Sequence, residues 1–208
     1  MHNRIIDLYS DTKTKPTLAM RRAMAEAEVG DEQKFEDPTV NRLRERICDL
    51  LGTEDAVFLP SGTMCNQIAI RVHCRPGEAI FCDRTAHVAT SEAGGPAAHA
   101  GAMIHAIDGA TGIFTADQLA ASIGPASRYR PRPRLVVVEQ TSNLAGGLVW
   151  PIDTIAGVSR VARANGLALH MDGARLPNAC VASGLPARRY AEPVDSLWID
   201  FTLSLIHI

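Results

Sequence analysis

The chain has 208 residues, 46% of them hydrophobic, and a formal net charge of −2. That is enough apolar material for a sizeable core, and the near-neutral balance leaves no electrostatic footprint for nucleic acid. No apolar run approaches the ~20 residues that span a bilayer, and the N-terminal MHNRIIDLYSDT lacks the apolar centre of a signal peptide. Nucleic-acid and membrane partners are therefore not expected, and a cytoplasmic location follows.

Met1 to Pro16 is polar and irregular, with Asp7, Ser10, Asp11 and Thr12 clustered. Thr17 can cap a helix running to Glu28, and Thr39 a second helix to about Leu51, closed by Gly52. From there the pattern alternates. Strands are predicted at Ala56–Leu59, Ala79–Cys82, Met103–Ile107, Leu135–Val138, Leu167–Met171 and Ser196–Phe201. Helices are predicted at Met64–His73, within Asp83–Gly95, at Asp117–Ile123, Ile152–Asn165 and Ala174–Ser183. Strands alternating with helices of about ten residues imply a mainly parallel, doubly wound α/β sheet. The basic run Arg128–Arg134 carries prolines and precedes a strand, so it reads as a solvated loop. The five cysteines show no CxxC spacing, which predicts free thiols, with neither a disulfide framework nor a metal site.

In such a sheet the ligand crevice lies at the carboxyl ends of the strands. Four strand ends carry reactive side chains. PSGTMCNQ (60–67) is a turn entering a helix, where Ser61, Gly62 and Thr63 can either cradle a phosphate or simply cap the helix. His87, with Glu92 five residues on, can stack on a planar ring and move a proton, or can be an exposed helix-start histidine. EQTSN (139–143) ends a strand with polar side chains. LALHMDGARLP (167–177) places Asp172 and Arg175 three residues apart, as a site pair or as a structural ion pair. A phosphorylated ring that needs a carboxylate on its ring nitrogen would use all four, and pyridoxal 5'-phosphate fits that description. The glycine fingerprint of a dinucleotide site is missing, which disfavours an NAD-dependent reductase.

The sequence resembles the threonine aldolase/β-eliminating lyase family of pyridoxal-phosphate enzymes. The resemblance covers residues 7 to 202. It rests on SDT (10–12), AEVGDE (27–32), EDPTVNRL (36–43), LPSGTMCNQIA (59–69), His87 through EAGG (92–95), AGG (145–147) and LALHMDGARLPNA (167–179). It implies the large domain of the aspartate-aminotransferase-like (type I) fold. Residues 1–51 would form an N-terminal arm and helices, and 52–202 an incomplete cofactor-binding domain. It implies that Ser61, Gly62 and Thr63 bind the cofactor phosphate, that His87 stacks on the ring and assists catalysis, and that Asp172 meets the ring nitrogen. Arg175 would serve both cofactor and substrate carboxylate, Ser10 the substrate carboxylate, and Glu92 would orient His87 or a catalytic water. The implied activity is that of a low-specificity L-threonine aldolase, cleaving a β-hydroxy-α-amino acid to glycine and an aldehyde. The implied assembly is a homo-oligomer, a dimer or tetramer.

There are departures. Lys34 and Phe35 replace a Tyr-Gly pair frequent in the family, Ser142 replaces a frequent histidine, and Tyr129 lies about where another active-site histidine is common. The family's Schiff-base lysine corresponds to position 203, which is Leu203; Lys13, Lys15 and Lys34 are the only lysines. One back-translation of the LSLIHI tail reads as a sequencing-adapter end, so 203–208 is taken as non-native, a hypothesis that a genomic read with the same tail and a stop codon would refute. The expectation is an active carbon–carbon lyase for the gene product and an inactive fragment for this literal chain. The alternatives are a β-eliminating lyase acting on another amino acid, and a cofactor-binding pseudoenzyme.

Overall fold

The computed structural model describes residues 9–203; Asp7 and residues 204–208 lie outside the described residues. Two helices lead in: α1 (Leu18–Ala25), capped by Thr17, and α2 (Pro38–Leu51). The cap of α2 is Asp37, not Thr39. Its carboxylate accepts from the Thr39 and Val40 amides, both at 2.9 Å, and Pro38 stands where no amide is needed. Gly52 ends α2 with φ of 71°.

The remaining elements are α3 (Gly62–His73), β1 (Glu78–Asp83), α4 (His87–Thr90), α5 (Gly95–Ala100), β2 (Met103–Ile107), α6 (Ala116–Ile123), β3 (Arg132–Glu139), α7 (Ile152–Ala164), β4 (Ala168–Gly173), α8 (Leu176–Ser183), α9 (Ala187–Ala191) and β5 (Ser196–Ile199). The five strands form one parallel sheet in the order β2-β1-β3-β4-β5. The order reverses between β1 and β3, which opens a crevice at their carboxyl ends.

Both faces of the sheet are covered. Successive strand residues point to opposite sides. Phe81, Val136, Val138, Leu169 and Met171 pack with Leu119 of α6, Ile155 and Val158 of α7 and Tyr190 of α9. Ile80, Cys82, Leu135 and Val137 pack against Ile70 of α3, Cys74 at its C-terminal cap and Ala100 of α5. A strand buried on both faces loses the polar alternation of a half-exposed one, which is why β3 reads LVVV.

Several predicted elements differ. The first helix ends at Ala25 rather than Glu28, and Arg132–Arg134, expected in a solvated loop, already belong to β3, where Arg132 and Pro133 pair with β1. Ala56–Leu59 is not a strand: none of the described strands pairs with it, and Val57 and Phe58 are 70% and 57% exposed. An apolar run has strand propensity, but a strand exists only where a neighbour completes its ladder. β5 stops at Ile199 rather than Phe201, and α5 and α9 lack any sequence expectation. The five cysteines are all free thiols, and burial pushes Cys74 up to about 11 and Cys82 up to about 12. No helix among the described residues is long and apolar enough to cross a membrane.

Candidate functional site

The carboxyl ends of β1, β3, β4 and β5 open into one cleft of about 900 Å³. The register puts Glu139 of β3 beside Asp172 of β4, and Asp172 beside Trp198 of β5. These three side chains form a row on the face covered by α3. Every residue predicted to act lines this cleft except Glu92, which sits just behind it: Ser10, Ser61, Gly62, Thr63, His87, Asp172 and Arg175.

Asp172 is buried. Its Oδ2 accepts from Asn66 Nδ2 at 2.8 Å and its Oδ1 from the Ala174 amide at 3.1 Å. No lysine or arginine pairs with it among the described residues. Burial, followed by the neighbouring Glu139 charge, pushes its carboxyl up to about 6. Glu139 is also held above the usual carboxylate range by burial. It accepts from the His87 amide at 2.7 Å and the Asn143 amide at 2.9 Å, so it fixes the start of α4.

His87 is half-exposed to the cleft. Its Nδ1 lies 2.8 Å from Glu92 Oε1, and this hydrogen bond raises its basicity against the opposing effect of burial. Because a carboxylate only accepts, Nδ1 carries the hydrogen and Nε2 of the neutral ring is left to take a proton. Glu92 is itself buried, and Gln67 Nε2 donates to its other oxygen.

Arg175 does not pair with Asp172. Its Nε and Nη2 reach Asp11 at 2.6 and 3.1 Å. Ser61 caps α3, its hydroxyl accepting from the Met64 amide at 3.2 Å. What the missing Cβ of Gly62 makes room for is Trp198, whose ring a methyl group would overlap. Ser10 caps a short 3₁₀ turn, Asp11–Lys13, at the cleft rim.

Of the departures noted in the sequence, Lys34, Phe35 and Tyr129 do not line the cleft. Lys34 lies 3.7 Å from Asp31 on an exposed turn, and Tyr129 is exposed on the loop before β3. No lysine is among the cleft residues described, and Leu203 is one of them. Sequence reasoning missed Asn66, Gln67, Asp11 and Trp198. The available signal for the first two was a pair of adjacent amides in the middle of α3, between Cys65 and Ile68.

The model of the beta-eliminating lyase family matches residues 7–207. The chain belongs to the beta-eliminating lyase family. Among curated relatives, a probable low-specificity L-threonine aldolase 2 of Arabidopsis thaliana is 40% identical over 201 residues, covering 94% of this chain and 56% of the relative. A low specificity L-threonine aldolase of Escherichia coli K12 is 39% identical over 202 residues, covering 97% and 60%. The structure of Leishmania major threonine aldolase superposes with a TM-score of 0.81 at 24% identity, covering 93% of this chain and 58% of that one. The parallel sheet with helices on both faces is thus the aspartate-aminotransferase-like fold, which serine palmitoyltransferase also shares, at a TM-score of 0.61. The chain spans about half the length of the curated relatives it matches.

Proposed function

We propose that this chain carries the pyridoxal-phosphate-binding part of a carbon–carbon lyase of the low-specificity L-threonine aldolase type, which cleaves a β-hydroxy-α-amino acid to glycine and an aldehyde. The observation that carries this reading is Asp172: a buried carboxylate, without a cationic partner among the described residues, facing a cleft large enough for a cofactor. Burying an uncompensated carboxylate is costly, and a protonated pyridine nitrogen is the kind of group that would compensate it.

The rest of the cleft fits the same group. The N-terminus of α3, with Ser61 and Thr63 on the cleft, offers amides and hydroxyls to a phosphate. Pyridoxal phosphate, when bound, supplies an electron-accepting ring for the charge left when the Cα–Cβ bond breaks. Asp172 would keep the ring nitrogen protonated. His87 would present Nε2 to the β-hydroxyl proton, with Glu92 holding the imidazole and stabilising its charged form. Ser10 and Arg175 stand where a substrate carboxylate could be gripped, once Arg175 exchanges Asp11 for it.

No amine lines the described cleft, so this chain by itself is expected to bind the cofactor without turning over substrate. The test is equilibrium titration of the chain with pyridoxal phosphate, followed by absorbance, then borohydride reduction and mass analysis. Saturable binding is expected, weakened about tenfold or more in Asp172→Asn through loss of the charge opposite the ring nitrogen. No reducible bond to the cleft is expected, and no release of glycine from L-threonine. Absence of saturable binding would overturn the reading.

A further inference from the structure

Asn66 is fully buried on α3 and bonds to four side chains on three separate segments: the turn after α4, β4 and β5. Its Nδ2 donates to Glu92 Oε1 at 2.7 Å and to Asp172 Oδ2 at 2.8 Å. Its Oδ1 accepts from Trp198 Nε1 at 2.8 Å and lies 3.2 Å from His170 Nε2. We propose that Asn66 is a positioning residue, the one neutral donor shared by Asp172 and Glu92, which lets these two acids stand side by side, one toward the cleft and one on His87. This deepens the proposed function and rests on it only for what Asp172 would meet.

The polarity of the amide follows from its partners. An indole N–H can only donate, and an ionised carboxylate can only accept, so Oδ1 faces Trp198 and the NH₂ group faces the two acids. His170 must then donate through Nε2. Burial pushes this imidazole down to about 3, so it is neutral and its Nδ1 accepts, from Ser196 Oγ at 2.9 Å. Ser196 Oγ in turn lies 2.8 Å from His73 Nε2. Two N–H groups pulling on Oδ1 polarise the amide and strengthen both bonds made by its NH₂ group.

The electrostatic task is plain. Carboxylate and imidazole atoms of His87, Glu92 and Asp172 all lie within 4.8 Å of one another, and Glu139 of β3 adds a third acid beside Asp172. Cys65 of α3 is a further titratable neighbour, and Arg175 is committed to Asp11. Among the described residues only His87 can bring positive charge to the pair, and it binds Glu92. The two hydrogens of one Asn66 nitrogen are divided between the two acids. With that donor gone, the acids would face each other with less to hold their charge, and one would take up a proton.

The experiment follows the Asp172 carboxyl by carbon-13 NMR titration in the chain without cofactor. Asn66→Leu, near in volume but unable to donate, should raise the Asp172 midpoint by about one pH unit, a tenfold gain in proton affinity. Adding Glu92→Gln to Asn66→Leu should bring the midpoint back toward the parent value, because the shift comes from the facing charge. A packing defect would raise it equally in both backgrounds. Should Asn66→Leu fail to fold, Asn66→Ser keeps one hydroxyl donor for two acids and should raise the midpoint several-fold in proton affinity. An unmoved midpoint in either folded single variant, or a raised one that Glu92→Gln leaves in place, overturns the proposal. Since no cofactor is present, a failure here leaves the pyridoxal-phosphate reading standing, and the converse also holds.

Discussion

Arg175 closes a two-bond fork on Asp11, 164 residues away in sequence, and not on Asp172, three residues away. The backbone decides this. Asp172 ends β4 on the α3 side, while the turn through Gly173 and Ala174 carries Arg175 to the cleft rim, where its amide donates to the Gln140 carbonyl at 3.0 Å. The consequence is that Asp172 keeps its charge for the cleft.

Asp11→Asn removes one half of this largely buried pair. It should cost about 1–3 kcal/mol, less than a fully buried pair because the fork borders solvent. Urea unfolding midpoints measure it. Millimolar formate or glycine should then stabilise the variant more than the parent by refilling the fork. Equal responses would show that the fork does not accept a free carboxylate.

Asp172→Asn separates stability from the proposed binding. The Asp172 carboxyl is raised from an ordinary 3.8 to about 6 in the fold. The folded state therefore holds a proton that the unfolded state releases as pH climbs between these values, and stability falls over that window. Roughly two units correspond to about 3 kcal/mol at most, since the amide also forfeits an acceptor. The variant should be more stable than the parent at pH 8, with the difference shrinking below pH 4. Denaturant titrations at both pH values decide it, and a variant less stable at pH 8 contradicts the account.

Glu92→Gln should lower the His87 titration midpoint. The bond to Glu92 is the main influence raising it, and burial is then opposed only by the weaker pull of the Asp172 and Glu139 charges. In the parent, the stability linked to this ring is fully present below about pH 6.5 and is lost as pH rises through the folded value. Imidazole proton NMR of parent and variant reads the midpoint directly. An unchanged midpoint would mean that Glu92 does not set the ring's charge.

Gly62→Ala puts a methyl group into the Trp198 ring. Overpacking of this kind should cost about 1–3 kcal/mol. Most of the penalty should vanish in the Trp198→Ala background, where the space is open. A double-mutant cycle on unfolding free energies measures the coupling. Additive effects would place the role of Gly62 elsewhere, in its approach to an anion.

Much of the site was legible because it depends on local rules. His87 and Arg175 follow the ends of strands, Asp172 stands in the last two residues of one, and Ser61 starts a helix; hydrophobic period and turn residues mark such places without knowledge of the fold. The Thr39 and Asp37 exchange shows the limit of that reading. Both are competent caps, and the choice fell to the residue whose carboxylate also reaches the Gly30 amide, at 3.1 Å. Ala56–Leu59 shows another limit: its apolar run promised a strand, but ladder hydrogen bonds come from a neighbour that the run does not specify.

The sequence by itself determined the alternation of strands and helices, the parallel sheet it implies, and which side chains stand at strand ends. These follow from periodicity and capping, which act over a few residues. Only the tertiary structure decided the partners: Asn66 shared between Glu92 and Asp172, Arg175 drawn to Asp11, and Trp198 filling the space beside Gly62. Strand order and register set those pairings. They bring together residues up to 164 positions apart, and no local pattern encodes which of several available acids an arginine or an amide will meet.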